Sequence, residues 1–399
     1  MDLTLSPAVE AVRARASAFV DDGLLPLEAD PSSFGQGENI REDLLPGLGE
    51  QARARGLWSP QMPRERGGQG LGPVGMAVVY EELGRARFGP VACHCAAPDD
   101  GNMLVLEKVG TAEQKERWLQ PIVDGRVRSA IVMTEPAPGS GSDPAGMMLT
   151  RAERRGDRYV VQGRKWFITG AEGAAHFILL ARTSDDPPRG LTAMLFHRDQ
   201  PGWRISRRIP IMGPEEHGGH CELEFDGLEV PLENVLLGEG LGMKVTQIRL
   251  GIARLTHCMR WLGMARRALE IALPYIGERR AFGQLLSEKE SVQGLLGEAA
   301  MGIEIGRLLT MRAALRLEQG GMARAEVSMA KIQVADALHR AVDTAIQLLG
   351  ARGYSKDTPL EWMYRYARQA RLVDGASEVH RMVVARELLR DSGGFFAWS

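Results

Sequence analysis

The length, composition and charge of the chain describe a globular protein with more than one core. Its 399 residues exceed what a single hydrophobic core supports, so two or three packed regions are expected. A hydrophobic content of 44%, a charged content of 25% and a net charge of −2, without a basic stripe, argue against nucleic acid or a membrane as partner. No apolar run spans a bilayer, no signal peptide opens the chain, and the four cysteines show no disulfide framework, so a cytoplasmic location is expected.

The first region, residues 1 to about 128, is predicted to be mostly helical. Helical spacing covers residues 74–84 and 111–119, and Thr111 is a candidate N-cap for the second helix. The glycine-rich residues 67–72 follow no strand, so they are expected to form a loop and not a dinucleotide-binding turn.

The pattern changes near Ser129 to short β-rich runs separated by turns. Such runs, at such intervals, predict a small barrel or sandwich that ends at about residue 235. The predicted strands are residues 129–134, 158–162, 166–169, 176–182, 191–197 and 220–225.

From residue 241 onward apolar residues recur with a helical period. Long helices over residues 255–276, 295–317 and 322–349, with short connections, predict an antiparallel bundle. Near the C-terminus, a short helix before residue 369 and a closing helix after residue 378 flank Asp374-Gly375, a turn signal. Local sequence alone favours Asp374 as a turn or N-cap carboxylate; the alternative is a catalytic base on a corner between helices.

The sequence contains no complete motif for metal binding or for nucleophilic catalysis. His217 and His220 offer two imidazoles but no further ligands, and Cys93-His94-Cys95 is too tightly spaced for a zinc knot. The chain has neither a phosphate-loop lysine nor a nucleophile elbow. No metal site is expected.

Several short motifs are specific as an ordered set. They are Met-Thr-Glu-Pro at 133–136 with Gly-Ser-Gly-Ser-Asp at 139–143, Gly-Arg-Lys-Trp-Phe-Ile-Thr-Gly at 163–170, Tyr-x3-Arg-x2-Phe-Gly at 275–283, Gln-Leu-Leu-Gly-Ala-Arg-Gly-Tyr at 347–354, and Asp-Gly at 374–375. In this order they resemble the acyl-CoA dehydrogenase family over almost the whole chain. The resemblance implies an α+β protein with a helical N-terminal domain (1–128), a middle β-barrel domain (129–235) and a C-terminal four-helix bundle (236–399) that holds FAD.

The resemblance also implies a reaction and its residues. Members remove the α-proton of an acyl-CoA with a carboxylate while a hydride passes from the β-carbon to the flavin. The matching carboxylate is Asp374. Arg254 matches a residue near the acyl-CoA, with an ordinary ion pair of the bundle as the alternative, and Ser142 matches the serine that touches the CoA arm.

For the flavin, the resemblance implies two groups of residues. Met133 and Thr134 match those that hydrogen-bond the isoalloxazine ring, and Phe167-Ile168-Thr169 matches the segment that packs against it. The residues that match a neighbouring subunit's FAD site are Arg279, Phe282, Gln347 and Gly350. An FAD site completed across an interface implies a homodimer or homotetramer.

Two stretches narrow the resemblance to one branch of the family, which in animals is fused to a kinase-like domain and uses an Asp base. They are residues 247–260 and 374–380, and residues 98–103 and 217–220 agree with the same branch. The predicted function is therefore an FAD-dependent acyl-CoA dehydrogenase that produces a trans-2-enoyl-CoA and passes electrons to an electron-transfer flavoprotein. Two alternatives stay open. One is a flavin oxidase similar to nitroalkane oxidase. The other is an idle partner subunit, suggested by Glu290, Ala351 and Ala376, which depart from the common family pattern.

Overall fold

The N-terminal region is helical, as predicted. The structure, a computed structural model, describes residues 4–35, 37–141, 143–186 and 189–397. Thr111 is an N-cap: its Oγ1 accepts from the Gln114 backbone N–H at 3.2 Å, and the Gln114 side chain accepts from the Thr111 N–H at 3.2 Å. The longer helices are α1 (Pro7–Phe19), α2 (Leu45–Ala54), α3 (Pro73–Gly84) and α4 (Asp99–Val109), with short helices Leu25–Glu28, Gly89–Ala92, Ala112–Gln114 and Gln120–Val123.

The middle region is a curled seven-stranded sheet around its own apolar core. Its strands are β1 (Arg128–Val132), β2 (Arg151–Arg155), β3 (Arg158–Thr169), β4 (Ala174–Arg182), β5 (Leu191–His197), β6 (Trp203–Arg208) and β7 (His220–Pro231). The order is β1-β4-β2-β3-β7-β6, with β5 on β4; β1 pairs with β4 in parallel, and β3, β5 and β6 pair with their neighbours in antiparallel fashion. Two predicted strands, 158–162 and 166–169, are one strand, β3.

The C-terminal region is the predicted helical bundle. Its helices are α5 (Gly242–Glu278), α6 (Glu290–Glu318), α7 (Arg324–Leu349), α8 (Leu360–Gln369) and α9 (Ser377–Arg390); a hairpin of β8 (Arg280–Ala281) and β9 (Gln284–Leu285) joins α5 to α6. The apolar residues that recur at helical spacing in α5 form a buried stripe: Leu255, Met259, Leu262, Ala265, Leu269, Ala272 and Ile276. None of the described helices has the length and apolar character that a membrane span needs.

Two glycines let α3 and α5 approach closely. A Cβ on Gly263 would lie 2.0 Å from the Glu81 carbonyl oxygen, and one on Gly84 would lie 2.2 Å from the Arg260 carbonyl oxygen. Real Cβ atoms do not occupy such positions, so only glycine fits this crossing. The crossing fixes the middle of α5, the helix that supplies most of the side chains around Asp374.

Candidate active site

Asp374 lies on a corner between α8 and α9 whose backbone is held in place by Lys331 and Arg254. Both corner residues have left-handed backbone, with φ of 52° at Asp374 and 101° at Gly375. Lys331 Nζ donates to the carbonyl oxygens of Ala370 at 2.6 Å and Gly375 at 3.1 Å, and Arg254 Nε donates to the Asp374 carbonyl oxygen at 2.6 Å. The predicted turn is confirmed. The N-cap alternative for Asp374 is wrong, because residue 376 holds that position before α9.

The Asp374 carboxylate faces two side chains of α5. Its Oδ1 lies 3.5 Å from Arg249 Nη1 and its Oδ2 lies 3.2 Å from His257 Nε2. Within the described part of the chain, Oδ2 has no donor aligned for a good hydrogen bond. Burial raises the pKa of Asp374, but His257, Arg249 and Arg254 together outweigh burial and hold that pKa well below its usual range. The carboxylate is therefore ionised at neutral pH, and its Oδ2 lacks an aligned hydrogen-bond donor among the described residues.

A buried series of polar side chains links His257 to α4. Arg260 Nη2 lies 3.3 Å from His257 Nδ1, and Arg260 Nη1 donates to Asp100 Oδ2 at 2.5 Å. Thr256 Oγ1 donates to the same carboxylate at 2.8 Å, and the Gly101 N–H donates to its other oxygen at 2.6 Å. Burial raises the pKa of Asp100, but the Arg260 charge and hydrogen bond outweigh it and the pKa is lowered.

A second series of hydrogen bonds links Arg249 to the sheet. Arg249 Nε donates to Asn102 Oδ1 at 3.3 Å, and Asn102 Nδ2 donates to Ser129 Oγ, in β1, at 3.0 Å. A Cβ on Gly101 would lie 3.0 Å from Arg249 Nε. Residues 98–103 and 247–260, which the sequence grouped only by resemblance, therefore form one contact between α4 and α5.

On the sheet side, a buried ion pair supports Met133 and Thr134. Lys165 Nζ donates to the Met133 carbonyl oxygen at 2.8 Å and to Glu135 Oε1 at 3.0 Å; these two charged side chains are 0% and 2% exposed. Burial alone would raise the pKa of Glu135, but Lys165 and the N–H groups of Leu149 and Thr150 outweigh it and lower that pKa to about 2. The half-buried segment that carries Met133 and Thr134 is therefore held from beneath.

A bulge turns Phe167 out of β3. Its φ is 51°, the register on β7 slips between residues 165 and 168, and its side chain is 43% exposed. The side chain of Ile168 instead lies in the core of the sheet and is 1% exposed, so only its backbone is available to a ligand. Thr169 Oγ1 lies 3.0 Å from His220 Nδ1.

The same side of the sheet is linked to the bundle. His220 Nε2 lies 3.0 Å from Glu216 Oε2, and Gln369 Nε2, at the end of α8, donates to Glu216 Oε1 at 3.4 Å. Gln369 precedes the Asp374 corner by five residues. Thr169 is therefore linked, through His220 and Glu216, to the segment that leads into the corner.

The residues expected at a neighbouring subunit's cofactor lie on the surface of the bundle. Arg279 and Gln347 are exposed, and Phe282 is 99% exposed. Gly350 has φ of 59° and ψ of −134°, with open space where a Cβ would stand. Ser142 lies outside the described residues.

Sequence reasoning missed two side chains that contact the Asp374 carboxylate, Arg249 and His257. A signal was present: Arg249, Thr256 and Arg260 are separated by seven and four residues, and His257 precedes Arg260 by three, so these polar side chains lie on the same side of the helix. Polar residues at that spacing on a buried face indicate a satisfied polar network.

Comparisons with known proteins agree with this architecture. Three family profiles match successive parts of the chain: "Acyl-CoA dehydrogenase, N-terminal domain" at residues 6–126, "middle domain" at 130–228 and "C-terminal domain" at 240–389. The chain is similar to Acyl-CoA dehydrogenase family member 11 of Gallus gallus, with 39% identity over 399 residues that cover 96% of this chain and 51% of that protein. The chain thus spans about half the length of this animal relative.

A bacterial relative and a solved structure match over the whole length. Identity is 36% over 409 residues with "Probable acyl-CoA dehydrogenase FadE2" of Mycobacterium tuberculosis, covering 100% of this chain and 99% of that protein. The structure of butyryl-CoA dehydrogenase from Megasphaera elsdenii superposes with a TM-score of 0.86 and 28% identity, covering 98% of this chain and 100% of that one. The resemblance seen in the motifs is confirmed, and the chain belongs to the acyl-CoA dehydrogenase family.

Proposed function

We propose that this chain is an FAD-dependent acyl-CoA dehydrogenase that converts an acyl-CoA thioester to its trans-2-enoyl-CoA, with Asp374 as the base. The observation that carries the proposal is Oδ2 of Asp374, an ionised, largely buried carboxylate oxygen without an aligned donor in the described part of the chain. An oxygen in that state is available to take a proton. Family membership supplies the reaction class.

The residues around Asp374 position the base and favour negative charge. The α-proton of a thioester is weakly acidic, so removing it needs a fixed base and stabilisation of the enolate that develops. Arg254 and Lys331 fix the backbone of the corner, which limits the positions of the carboxylate. Arg249 and Arg254 also place positive charge beside the reacting region, where it stabilises a developing anion.

The residues present fit FAD. Phe167 offers an exposed aromatic face, and two half-buried threonines offer hydroxyls: Thr134, just after β1, and Thr169, at the end of β3. Arg279 offers an exposed guanidinium at the surface, and Gly350 offers backbone that a phosphate can approach closely. When bound, FAD accepts the hydride from the β-carbon of the substrate.

The surface of the bundle supports a homodimer or homotetramer. Phe282 is 99% exposed, and α6 presents an apolar row, Met301, Ile305 and Leu308, at helical spacing with 47–61% exposure, as a surface covered by another subunit would. Arg279, Phe282, Gln347 and Gly350 then complete a neighbour's FAD site. An electron-transfer flavoprotein is the proposed electron acceptor, and Ser142 and Arg254 remain the predicted substrate residues.

Anaerobic titration of the flavin absorbance tests the proposal. The panel comprises straight-chain, branched and 4-hydroxy acyl-CoAs and one nitroalkane. An acyl-CoA should bleach the flavin, and Asp374→Asn should keep the bound flavin while the reduction rate falls by about 10²–10⁴-fold, the usual contribution of a general base. The exposed Asp343→Asn, on α7, is the matched control and should reduce normally.

Three results would contradict the proposal. Normal reduction in Asp374→Asn would remove Asp374 as the base. Bleaching by the nitroalkane alone, with peroxide formed in air, would support the oxidase alternative. A protein that binds no flavin unless a sister chain is present would support the idle-subunit alternative.

A further inference from the structure

His257 occupies a built position between Asp374 and a buried ion pair. Its side chain is 13% exposed and stacks on Trp261, with ring centroids 4.9 Å apart and planes 21° from parallel. Its Nε2 lies 3.2 Å from Asp374 Oδ2, and its Nδ1 lies 3.3 Å from Arg260 Nη2. Both ring nitrogens therefore face a charged group, one anionic and one cationic.

The cationic neighbour fixes where the imidazole carries its proton. A guanidinium offers only N–H groups, so Nδ1 of His257 must accept from Arg260 and cannot itself carry a proton. A neutral imidazole has one N–H, which then lies on Nε2 and points to Asp374. Arg260 cannot turn away easily, because Asp100 and the Cys95 carbonyl oxygen hold its Nη1 at 2.5 and 2.7 Å.

Protonation of the ring is disfavoured by the same surroundings. Burial lowers the pKa of His257, the charge of Arg260 lowers it further, and Asp374 and Asp100 oppose this without reversing it. His257 is therefore a neutral donor at neutral pH.

We propose that His257 is a positioning residue for the base: its Nε2–H, 3.2 Å from Oδ2 of Asp374 without the alignment of a full hydrogen bond, attracts that oxygen and keeps it where it meets the α-proton, and Asp100 sets the tautomer through Arg260. The proposal rests on the proposed function. It also excludes a proton relay through this ring, because the nitrogen that faces Asp374 is already protonated and the other faces a guanidinium. The α-proton therefore leaves Asp374 by another route.

The other charged groups around the corner act elsewhere. Arg254 and Lys331 donate to backbone oxygens, and Arg249 lies beside Oδ1. From α9, His380 Nδ1 lies 3.1 Å from Ser328 Oγ, and Glu378 is exposed. Within the described residues, His257 is the charged or titratable side chain that lies against Oδ2.

The tautomer can be measured without substrate. In protein labelled with ¹⁵N-histidine, the His257 signals are those that disappear in His257→Phe. We expect a neutral ring with the proton on Nε2 between pH 7 and 9. A proton on Nδ1, or an imidazolium at pH 7, would overturn the proposal even if the protein proves to be an active dehydrogenase. If acyl-CoA fails to bleach the wild-type flavin, the proposed function fails, and this readout still reports on the tautomer.

Kinetics separate positioning from folding. His257→Phe keeps a ring on Trp261 and removes the N–H, so the rate constant of flavin reduction should fall about tenfold, the effect of one hydrogen bond to a charged group. The dissociation constant of the acyl-CoA and the FAD content should not change. His257→Gln restores an N–H at similar reach and should recover most of the rate. His339→Phe, half-buried on α7 beside Tyr364, is the matched control and should behave as wild type.

An unchanged rate in His257→Phe would overturn the proposal. So would a His257→Gln variant as slow as the Phe variant, or a loss found wholly in acyl-CoA affinity. If His257→Phe does not fold, His257→Gln alone tests the role of His257. The Gln variant should fold, reduce its flavin at close to the wild-type rate and leave the remaining histidine signals in place. A large loss of that rate with full FAD content would count against the assignment.

Discussion

Replacing Lys165 with Met removes one partner of the buried ion pair beneath Met133 and Thr134. Lys165 is fully buried and Glu135 nearly so, and the ammonium also holds the Met133 carbonyl oxygen at 2.8 Å. In Lys165→Met the Glu135 carboxylate stays buried without its counter-charge. We expect a less stable protein that also binds FAD more weakly, because the segment that carries Met133 and Thr134 loses its support.

The expected loss of unfolding free energy depends on the hydrogen bonds that Glu135 keeps and on the cost of burying the Lys165 ammonium. Breaking a buried pair by removing one partner costs about 3–5 kcal/mol. We expect the lower end, about 3 kcal/mol, for two reasons. Glu135 keeps donors in the backbone N–H groups of Ser140, Leu149 and Thr150, at 3.1, 2.7 and 2.8 Å. The buried ammonium is itself costly, since burial lowers the pKa of Lys165 to about 8 despite Glu135.

The pH dependence has a definite sign. In the wild type the pKa of Glu135 is lowered from 4.5 to about 2, so its stabilisation is complete above pH 4.5 and is lost as the pH falls towards 2. In Lys165→Met burial is no longer offset by the ammonium, so the pKa of Glu135 rises and the carboxyl is protonated more readily. The difference in unfolding free energy between the two proteins should therefore be larger at pH 7.5 than at pH 5.

Denaturant unfolding followed by far-UV circular dichroism measures this difference. Lys356→Met is the matched control, because Lys356 is 77% exposed and pairs with Glu38 at the surface, where loss of a pair changes stability by less than about 1 kcal/mol. The double variant Glu135→Gln/Lys165→Met removes both charges and should be more stable than Lys165→Met. A Lys165→Met variant within about 1 kcal/mol of wild type, or a double variant whose loss equals the sum of the single losses, would refute the reasoning.

Two further predictions concern the helix crossing and the FAD site. Gly263→Ala places a Cβ against the backbone of α3 and should destabilise the protein by about 3 kcal/mol, as overpacking does. Gly251→Ala, on the same helix with nothing within 4 Å of the new Cβ, should be neutral or stabilising by up to about 1 kcal/mol. Denaturant unfolding compares the two variants, and equal effects would contradict the close helix crossing. Arg279→Ala should weaken FAD binding more than tenfold, since a hydrogen bond to a charged group contributes about 1.5–3 kcal/mol, and leave the unfolding of the FAD-free protein unchanged because Arg279 is exposed. Titration of FAD fluorescence measures this, Arg155→Ala is the exposed control, and unchanged affinity would remove Arg279 from the site.

Local pattern was enough for the elements with a strong period. The apolar stripe of α5, the cap at Thr111 and the turn at Asp374 each follow from residues within one or two turns of one another, and each is present. Strands β2 and β6 were not predicted. Both are short and arginine-rich, with residues such as Arg154 and Arg207 facing solvent, so they lack the apolar alternation that marks a strand.

The side chains that surround Asp374 depend on contacts that local sequence does not show. Asp100 and Arg260 are 160 residues apart, and Arg249 meets Asp374 across 125 residues. Lys165 and Lys331 are fully buried, which a lysine in a sequence does not reveal. Ile168 shows what a motif alone does not reveal: the bulge that exposes Phe167 sends the next side chain into the core, so the prediction for Ile168 can concern only its backbone.

The low pKa of Asp374 suits a base that acts only on a bound substrate. A carboxylate with a depressed pKa holds a proton poorly, so Asp374, whose side chain is 17% exposed, stays ionised before substrate binds and is ready to accept a proton. An acyl chain that binds at the corner would displace the remaining water, and desolvation raises the pKa of a carboxylate. Under the proposed function, the basicity of Asp374 therefore rises when substrate covers it. The cations fixed around it, Arg249 and Arg254, then lie where negative charge develops as the proton leaves the substrate.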